Sequence, residues 1–284
     1  PMSSVPLNLH PWRRSKNMAE ALKIRDFPEA NSAQTVAASN ENATDERLRD
    51  CVNILVKHIH AAIKEIEPTQ DEWFETIKFL TKTGHMSDDW RQEFILLSDV
   101  TGVSMLVDAI NNRKPSGASE STVLGPFHLE DAPELPMGAN ICLDGKGEPM
   151  LVRGRILDTE GNPIDATKID VWQANDEGFY DVQQKGIQPD FNLRGVFRTG
   201  ADGVCTVRAG KPKFYPIPDD GPVGQLLVKL GRHPFRPAHF HYIFEADGFE
   251  SLTTHLFDPD DPYIHSDAVF GVKESLMAKF ELIE

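Results

Sequence analysis

KIDVWQANDEG, at residues 168–178, contains the pattern that decides the fold of this chain. A short run of β-branched and aromatic residues ends in a polar turn with glycine, which is typical of a strand followed by a tight turn. The same alternation recurs through the second half of the sequence, and short strands at close spacing predict an antiparallel β-sandwich. The other predicted strand segments are MLVRGRIL (150–157), GVFRTG (195–200), VCTVRA (204–209), QLLVKL (225–230), HFHYIFEA (239–246) and SLTTHLF (251–257).

The first half of the chain has the period of helices instead. Apolar residues recur every three or four positions from Thr44 to Ile66, and the threonine at the start is placed to cap this helix. Thr69 and Glu72 have the spacing of a capping box, which predicts the start of a second helix. A third helical segment is predicted over 87–112, with a bend near Gly102.

These patterns predict an α+β protein in which an all-helical N-terminal domain precedes an antiparallel β-sandwich. A length of 284 residues is sufficient for two domains. We expect a mobile N-terminal arm and a polar linker at 1–43, a helical domain at 44–115 and the sandwich at 116–284. Helical periodicity returns at 269–280, which predicts a short C-terminal helix.

Composition limits the classes of partner and the location. The formal net charge of −15 argues against nucleic acid or an anionic membrane as the main partner, and no apolar run is long enough for a transmembrane helix. Cys51, Cys142 and Cys205 are too widely spaced for a paired metal site or a disulfide framework, which favours a reducing, cytoplasmic location. Residues 1–25 are basic and poor in acid, so an organelle transit segment is the alternative to a mobile arm there.

Residues 236–244, RPAHFHYIF, contain two histidines separated by one residue. On a strand, His239 and His241 project from the same face, which suits neighbouring ligands of one metal ion, while Tyr242 points to the opposite face. The pair alone is weak evidence for a metal site, and by itself it favours the alternative of a structural or solvent-facing role. A zinc site would need further histidine, cysteine or carboxylate ligands, and an iron(II) site would usually show a carboxylate in place of the second histidine.

Two of the four tyrosines make the histidine pair more informative. Tyr180 closes the turn after the strand predicted at 168–174, and Tyr215 opens a proline-rich segment with little conformational freedom. A tyrosine, with a free pKa of about 10, ionises at neutral pH only beside a strong cation. Two phenolates are hard, anionic donors that favour Fe(III), and two neutral imidazoles would complete a set of four protein ligands.

Five segments of the chain resemble the intradiol ring-cleaving dioxygenases, in the branch that acts on catechol, chlorocatechol and hydroxyquinol. They are STVLGPF (121–127), VWQANDEGFYD (171–181), GVFRTGADG (195–203), FYPIPDDGPVGQLL (214–227) and RPAHFHYIFEADGFESLTTHLF (236–257). The resemblance covers residues 45–284, more loosely in the helical half. It implies that the helical domain pairs two subunits into a homodimer, which can hold phospholipid between its helices.

The resemblance also implies the ligands of one Fe(III) ion per subunit, namely Tyr180, Tyr215, His239 and His241. Tyr215 would be the ligand that leaves and accepts a substrate proton, whereas Tyr180 stays. Arg236 would stabilise negative charge on the bound ring. The implied reaction inserts both atoms of O2 into a ring diol and gives a muconic acid. A non-catalytic sandwich that keeps this architecture and a zinc hydrolase are the alternatives.

Substrate choice rests on the residues that the resemblance places around the ring. Asp99 would accept a hydrogen bond from an additional hydroxyl, which favours hydroxyquinol (1,2,4-trihydroxybenzene); its alternative reading is an exposed acid on a helix. His255 stands where many catechol-cleaving members have glutamine, and it would act beside the iron without binding it. Catechol or a chlorocatechol is the alternative substrate. The predicted pocket residues are Leu96, Asp99, Val123, Leu124, Gly125, Pro126, Phe127, Ile217, Pro218, Arg236 and His255.

Overall fold

The computed structural model describes residues 27–88 and 91–281. The chain divides into two compact units, Pro1–Thr76 and Ile77–Glu284. The basic segment at the start of the predicted arm lies outside the described residues, as does Trp90 in the third predicted helical segment. The predicted domain boundary near residue 115 stays a prediction.

Six α-helices are present in the described part of the chain. They are α1 (Ser32–Ser39), α2 (Glu46–Ile66), α3 (Gln70–Met86), α4 (Glu93–Val100), α5 (Val103–Asn111) and α6 (Pro222–Lys229). None of them combines the length and the apolar character of a membrane-spanning helix. The polar segment at 31–43, predicted as a linker into the first long helix, contains the short helix α1, which the sequence pattern did not predict. Ser32 of α1 is buried, and its Oγ is 3.0 Å from His60 Nδ1 on α2, which fixes the short helix against its neighbour.

The caps of α2 and α3 test two details of the sequence pattern. Asp45 caps α2 by accepting a hydrogen bond from the Leu48 N–H at 2.9 Å. The prediction of Thr44 as the cap is wrong by one residue, because the carboxylate also interacts favourably with the helix dipole, which a hydroxyl does not. The capping box before α3 is confirmed: the Thr69 N–H donates to Glu72 Oε2 at 2.8 Å, and the Glu72 N–H donates to Thr69 Oγ1 at 3.2 Å.

The third predicted helical segment consists of α4 and α5. Gly102, with a φ of +77°, separates the two helices at the predicted bend. The helical segment begins at Glu93, later than predicted, and ahead of it Asp88 Oδ1 accepts a hydrogen bond from the Arg91 N–H at 2.7 Å. The buried carboxylate of Glu93 accepts a hydrogen bond from the Val223 N–H at 3.1 Å, which ties α4 to α6.

The described strands form three antiparallel sheets. The largest has the order β3-β2-β7-β8, while β1 pairs with β4 and β5 pairs with β6. The strands are β1 (Pro149–Arg155), β2 (Lys168–Gln173), β3 (Arg194–Arg198), β4 (Val204–Gly210), β5 (Tyr215–Pro216), β6 (Phe235–Arg236), β7 (His239–Glu245) and β8 (Leu252–Phe257). The predicted α+β class, a helical region followed by an antiparallel sheet domain, is confirmed.

The main apolar core lies between the β1–β4 pair and one face of the four-stranded sheet. Ile169, Phe197 and Tyr242 enter this cluster from the larger sheet, and Cys205 and Val207 enter it from β4. Two sheets packed in this way form the predicted sandwich. Tyr242 lies on the core face of β7, as predicted, so the opposite face of the same strand carries the candidate functional side chains.

The predicted strand QLLVKL is wrong, because most of this segment belongs to α6. Gly221 and Pro222 begin the helix, and a proline at the first helical position is typical of a helix start. Val223, Gly224 and Leu227 are buried, which is the pattern of one helical face, whereas Gln225, which would share a strand face with Val223 and Leu227, is exposed.

The predicted C-terminal helix is also wrong, since it is reduced to a single 3-10 turn at Glu274–Leu276. Leu276 packs against Phe257 and Ile264 in a small buried cluster. The Ala278 N–H then donates to the Phe257 carbonyl oxygen at 3.0 Å, so the chain continues extended beside β8. Tertiary packing has overridden the local helical period.

Candidate metal centre and substrate pocket

The face of β7 opposite the apolar core carries two buried histidines. His239 and His241 are each 2% exposed, and their Nε2 atoms lie 3.1 Å apart. β7 is an inner strand, so the solvent-facing edge considered from the sequence is excluded. In the strand register, His241 lies between Trp172 on β2 and His255 on β8. The indole stacks on the His241 ring at a centroid distance of 4.7 Å and 11° between planes, which restrains the imidazole.

Two tyrosines reach the same point from other elements. Tyr180 Oη lies 2.8 Å from His241 Nε2 and 3.3 Å from the Oη of Tyr215, which is on β5. Gly178, with a φ of +85°, lets the turn before Tyr180 pack on this strand, because a Cβ there would lie 2.9 Å from the Phe214 carbonyl oxygen. The structure therefore brings together the four side chains that the sequence analysis named as ligands.

The two imidazoles of β7 are neutral. His239 Nδ1 is 2.7 Å from the Pro237 carbonyl oxygen, so Nδ1 carries the proton and Nε2 presents its lone pair. Burial, followed by the charge of Arg236, lowers the pKa of His239 to about 3. Burial likewise holds the pKa of His241 well below its ordinary value. Both residues are therefore available as nitrogen donors at neutral pH.

The phenol of Tyr180 is neutral unless a cation joins it. Burial raises the pKa of Tyr180 well above its ordinary value, and the neighbouring Tyr215 adds to this effect. The guanidinium of Arg194, 6.0 Å from the ring centroid, acts to lower the pKa of Tyr180, but the effect of burial is larger. A phenolate at this position needs a positive charge within bonding distance.

The donor set fits a hard, trivalent metal ion. Metal–nitrogen bonds of about 2.0–2.1 Å place two neighbouring ligand atoms roughly 3 Å apart. The observed separations between the four donor atoms include 2.8, 3.1 and 3.3 Å, which match this spacing. Two phenol oxygens beside two imidazoles suit Fe(III), whereas zinc prefers sites of thiolate, imidazole and carboxylate.

Arg236 lies at the edge of this donor cluster. It is on β6 opposite Tyr215, is 3% exposed, and its Nη1 is 3.4 Å from His239 Nε2. Its Nε and Nη2 donate to the carboxylate of Asp267 at 3.1 and 3.3 Å. Burial acts to lower the pKa of Arg236, but the charge and the hydrogen bonds of Asp267 act against it, and the pKa stays above its ordinary value. A permanent buried cation therefore stands next to the candidate ligands.

His255 fills the space between Arg236 and the histidines of β7. Its ring stacks on His239 at 4.7 Å and contacts His241 edge-on at 4.1 Å. Together these three form a buried histidine group that is able to hold a metal ion. Burial keeps the pKa of His255 well below its ordinary value, and its Nδ1 lies 3.5 Å from Arg236 Nη2. A neutral imidazole in this position can accept a hydrogen bond from the guanidinium.

The loop at 121–127 covers one side of the donor cluster. Gly125 has a φ of +81°, and a Cβ there would lie 2.9 Å from Cε1 of His241, so the backbone packs directly on the imidazole. The ring of Phe127 lies 4.6 Å from that of Tyr180, centroid to centroid. The loop therefore contacts one candidate ligand with its backbone and another with a side chain.

The same loop contacts the histidines through its backbone. Burial dominates the low pKa of His241 and of His255, and hydrogen bonding of the rings to the backbones of Leu124 and Val123, respectively, acts to raise these pKa values. The side chain of Leu124 is 43% exposed, and Pro126 is exposed as well. The outer part of the predicted pocket wall is therefore open to solvent.

The remaining predicted pocket residues come from α4 and from the segment after β5. Leu96 and Ile217 pack in the same apolar cluster, and Pro218 follows half-buried. Asp99 is half-buried, so its reading as a fully exposed helix acid is wrong. Burial raises the pKa of Asp99, while a hydrogen bond from Ser104 and the charge of Arg236 lower it. Asp99 is therefore within electrostatic reach of the guanidinium that borders the donor cluster.

Comparisons with known proteins assign this arrangement to a family. Residues 126–284 match the family model described as "Dioxygenase", and residues 45–119 match the model described as "Catechol dioxygenase N terminus". Together the two matches account for most of the chain. The chain belongs to the intradiol ring-cleavage dioxygenases.

Three members of this dioxygenase family illustrate the similarity. The hydroxyquinol 1,2-dioxygenase of Rhizobium sp. (strain MTP-10005) is 69% identical over 91% of this chain and 88% of that protein. The 6-chlorohydroxyquinol 1,2-dioxygenase of Cupriavidus pinatubonensis (strain JMP 134 / LMG 1197) is 45% identical over 89% of this chain and 92% of that protein. A crystal structure of hydroxyquinol 1,2-dioxygenase from Pseudomonas putida DLL-E4 has a TM-score of 0.87 at 48% identity, covering 89% of this chain and 88% of that one.

Sequence reasoning missed two side chains that this dioxygenase places against the candidate site. Trp172 stacks on His241, and Asp267 forms the ion pair with Arg236. The position of Trp172 follows from the pairing of β2 with β7, which a sequence does not reveal, although a tryptophan in a predicted strand was a signal. Asp267 lies in a loop without periodicity, so no local pattern singles it out.

Proposed function

We propose that this dioxygenase inserts both atoms of O2 into hydroxyquinol and gives 3-hydroxy-cis,cis-muconate, the enol form of maleylacetate. The observation that carries the proposal is the convergence of two phenols, Tyr180 and Tyr215, with the two histidines of β7 beside Arg236. Relatives that are 69% and 45% identical bear the names of enzymes acting on hydroxyquinol and 6-chlorohydroxyquinol, which favours this ring over catechol.

One Fe(III) ion per subunit would be held by Tyr180, Tyr215, His239 and His241. When bound, a ferric ion stabilises the phenolates and activates the coordinated ring diol towards O2. The support for this choice is the donor set, since the buried phenol of Tyr180 is neutral without a strong cation and the two imidazoles present neutral nitrogens.

Tyr215 and Arg236 would supply proton transfer and charge stabilisation. The Oη of Tyr215 would accept a proton from a ring hydroxyl as the substrate enters, while Tyr180 keeps its place between His241 and the ring of Phe127. Arg236 directs Nη1 towards the donor cluster, where it would stabilise negative charge on the ring. Because the guanidinium is buried, this interaction is less screened than it would be in water.

Asp99 would select the third hydroxyl of hydroxyquinol. Its carboxylate is half-buried and is within electrostatic reach of Arg236. A hydroxyl on the ring can donate to it, whereas catechol has no group at that position and would leave the carboxylate without this partner. Leu96 and Ile217 would contact the apolar part of the ring.

Steady-state turnover of hydroxyquinol, catechol and 4-chlorocatechol tests this assignment. We expect the highest kcat/KM for hydroxyquinol, and we expect Asp99→Ala to lower that value far more than the value for catechol. A hydrogen bond to a charged group contributes about 1.5–3 kcal/mol, which corresponds to roughly 10- to 150-fold. Asp99→Asn is the matched variant that keeps the shape and removes the charge. Faster cleavage of catechol would contradict the hydroxyquinol assignment, and equal losses on both rings would remove Asp99 from it.

We also propose that the helical region pairs two subunits into a homodimer and can hold phospholipid between its helices. The support is the exposed apolar face of α2, a feature that is normally covered. Its side chains include Leu48, Leu55, Ile59, Ile63 and Ile66, which are 60%, 59%, 48%, 46% and 68% exposed. A cytoplasmic location is proposed because the three cysteines are free thiols.

A further inference from the structure

The carboxylate of Asp267 is enclosed by four hydrogen-bond donors. Oδ1 accepts from Arg236 Nε at 3.1 Å and from the Val269 N–H at 3.3 Å. Oδ2 accepts from Arg236 Nη2 at 3.3 Å and from the Gly271 N–H at 2.9 Å. Asp267 is 6% exposed, so rotating its side chain would leave buried donors without a partner. The turn at 267–271 therefore fixes the carboxylate, and the carboxylate fixes two of the three guanidinium nitrogens.

Gly271 links this turn to the pocket loop. A Cβ at Gly271 would lie 2.8 Å from Arg236 Nη2 and 3.2 Å from Thr122 Oγ1, so only glycine allows the backbone to approach both groups. The Gly271 carbonyl oxygen also accepts a hydrogen bond from Thr122 Oγ1 at 3.3 Å. Thr122 belongs to the loop that covers the candidate ligands, so Arg236 and this loop share one support.

The orientation of Arg236 follows from these contacts. With Nε and Nη2 bound by Asp267, Nη1 is the nitrogen directed towards the donor cluster, 3.4 Å from His239 Nε2. His255 Nδ1 lies 3.5 Å from Nη2 and flanks the guanidinium on the side of β8. A planar guanidinium held at two nitrogens has little freedom to redirect the third.

We propose that Asp267 is a positioning residue of the ring-cleavage reaction, which holds Arg236 so that Nη1 points at the ring bound at the candidate metal centre. The inference rests on the proposed function. Within the described residues, the hydrogen bonds of Asp267 go to Arg236 and to backbone N–H groups of its own turn, and none goes to the four candidate ligands, so we infer that its effect on the reaction passes through Arg236. The role requires a carboxylate, because both oxygens must accept hydrogen bonds at the same time.

The variant Asp267→Asn separates shape from hydrogen bonding. An asparagine has one acceptor oxygen, and its NH2 group can only donate. In either orientation the NH2 group would face two other donors, which are Arg236 Nε with the Val269 N–H or Arg236 Nη2 with the Gly271 N–H. One side of the guanidinium would be released. A displacement of about 1 Å in a catalytic group can cost roughly 100-fold in rate. We therefore expect kcat on hydroxyquinol to fall by about 10- to 100-fold, with a smaller change in KM and unchanged iron per chain.

The test is a double-variant cycle on the full chain. kcat, KM and bound iron are measured for wild type, Asp267→Asn, Arg236→Met and the double variant. Because Asp267 acts only through Arg236, adding Asp267→Asn to Arg236→Met should leave kcat unchanged. This comparison remains measurable if Asp267→Asn alone fails to fold, since the double variant leaves no unpaired buried charge. Asp158→Asn is the matched control, because Asp158 accepts backbone N–H groups in a turn without an arginine partner, and we expect wild-type kcat for it.

Three outcomes would overturn the proposal. The first is a wild-type kcat in folded Asp267→Asn. The second is that Asp267→Asn lowers kcat by the same factor in the Arg236→Met background as in the wild-type background. The third is that Asp267→Asn loses iron in proportion to its loss of activity. Wild-type protein that holds iron and cleaves none of the three rings would overturn the proposed function itself, and this role of Asp267 with it.

Discussion

The two faces of β7 are equally buried and chemically opposite. His239 and His241 on one face are each 2% exposed, and Phe240 and Tyr242 on the other are 1% and 3% exposed. Phe240 and Tyr242 join the apolar cluster between the two sheets. The histidines meet two phenols and a buried guanidinium. Burial alone therefore does not define a hydrophobic core, and the donors and acceptors on each face decide its role.

On the polar face, several donor atoms converge on one point: His241 Nε2 lies 3.1 Å from His239 Nε2 and 2.8 Å from Tyr180 Oη. On the apolar face, the hydroxyl of Tyr242 belongs to a hydrophobic cluster, and among the described residues it has no hydrogen-bond partner. Converging donor atoms indicate a bound ion, whereas a single unpaired hydroxyl indicates a small packing cost.

The largest effect should come from removing one phenolic oxygen on the polar face. We expect Tyr180→Phe to reduce bound iron and to lower kcat/KM by more than about 100-fold, the upper end for residues that only support a metal ligand. Tyr242→Phe is the matched control, since it also removes one phenolic oxygen, but from a tyrosine on the apolar face of β7. We expect full iron content and wild-type turnover for it. Similar losses of iron in both variants would contradict the assignment of the two faces.

A smaller effect, on stability and not on chemistry, should follow from a change on the apolar face. Phe240→Ala removes a fully buried ring from the core cluster and should lower the free energy of unfolding by about 3–5 kcal/mol. Chemical denaturation measures this loss, and metal analysis of the folded fraction should still find iron. Loss of iron from folded Phe240→Ala protein would show that the two faces are not independent.

Much of this contrast could be read from the sequence, because a strand has a period of two. Alternation in RPAHFHYIF predicts that His239 and His241 share one face and that Tyr242 lies on the other, which the structure confirms. Tyr180 and Tyr215 stood out because tyrosine is rare here, Tyr180 closes a predicted turn, and Tyr215 opens a rigid proline-rich segment. The helical half was predicted from its period of three to four, and the capping box before α3 is confirmed.

The rest depended on contacts between distant segments. Trp172 is placed on His241 by strand pairing, and Asp267 reaches Arg236 across 31 residues of sequence. QLLVKL was predicted as a strand because its apolar run is short, and packing of Val223 and Leu227 decided for a helix. Such outcomes depend on which surfaces meet in the folded chain, and local periodicity does not contain that information.

The central claim is that the polar face of β7, with Tyr180 and Tyr215, holds Fe(III). Metal analysis combined with the visible absorption spectrum of the purified protein tests it most directly. We predict one iron per chain and a red to brown colour from phenolate-to-Fe(III) charge transfer, which weakens in Tyr180→Phe and persists in Tyr242→Phe. A colourless protein that is fully occupied by zinc would contradict the claim.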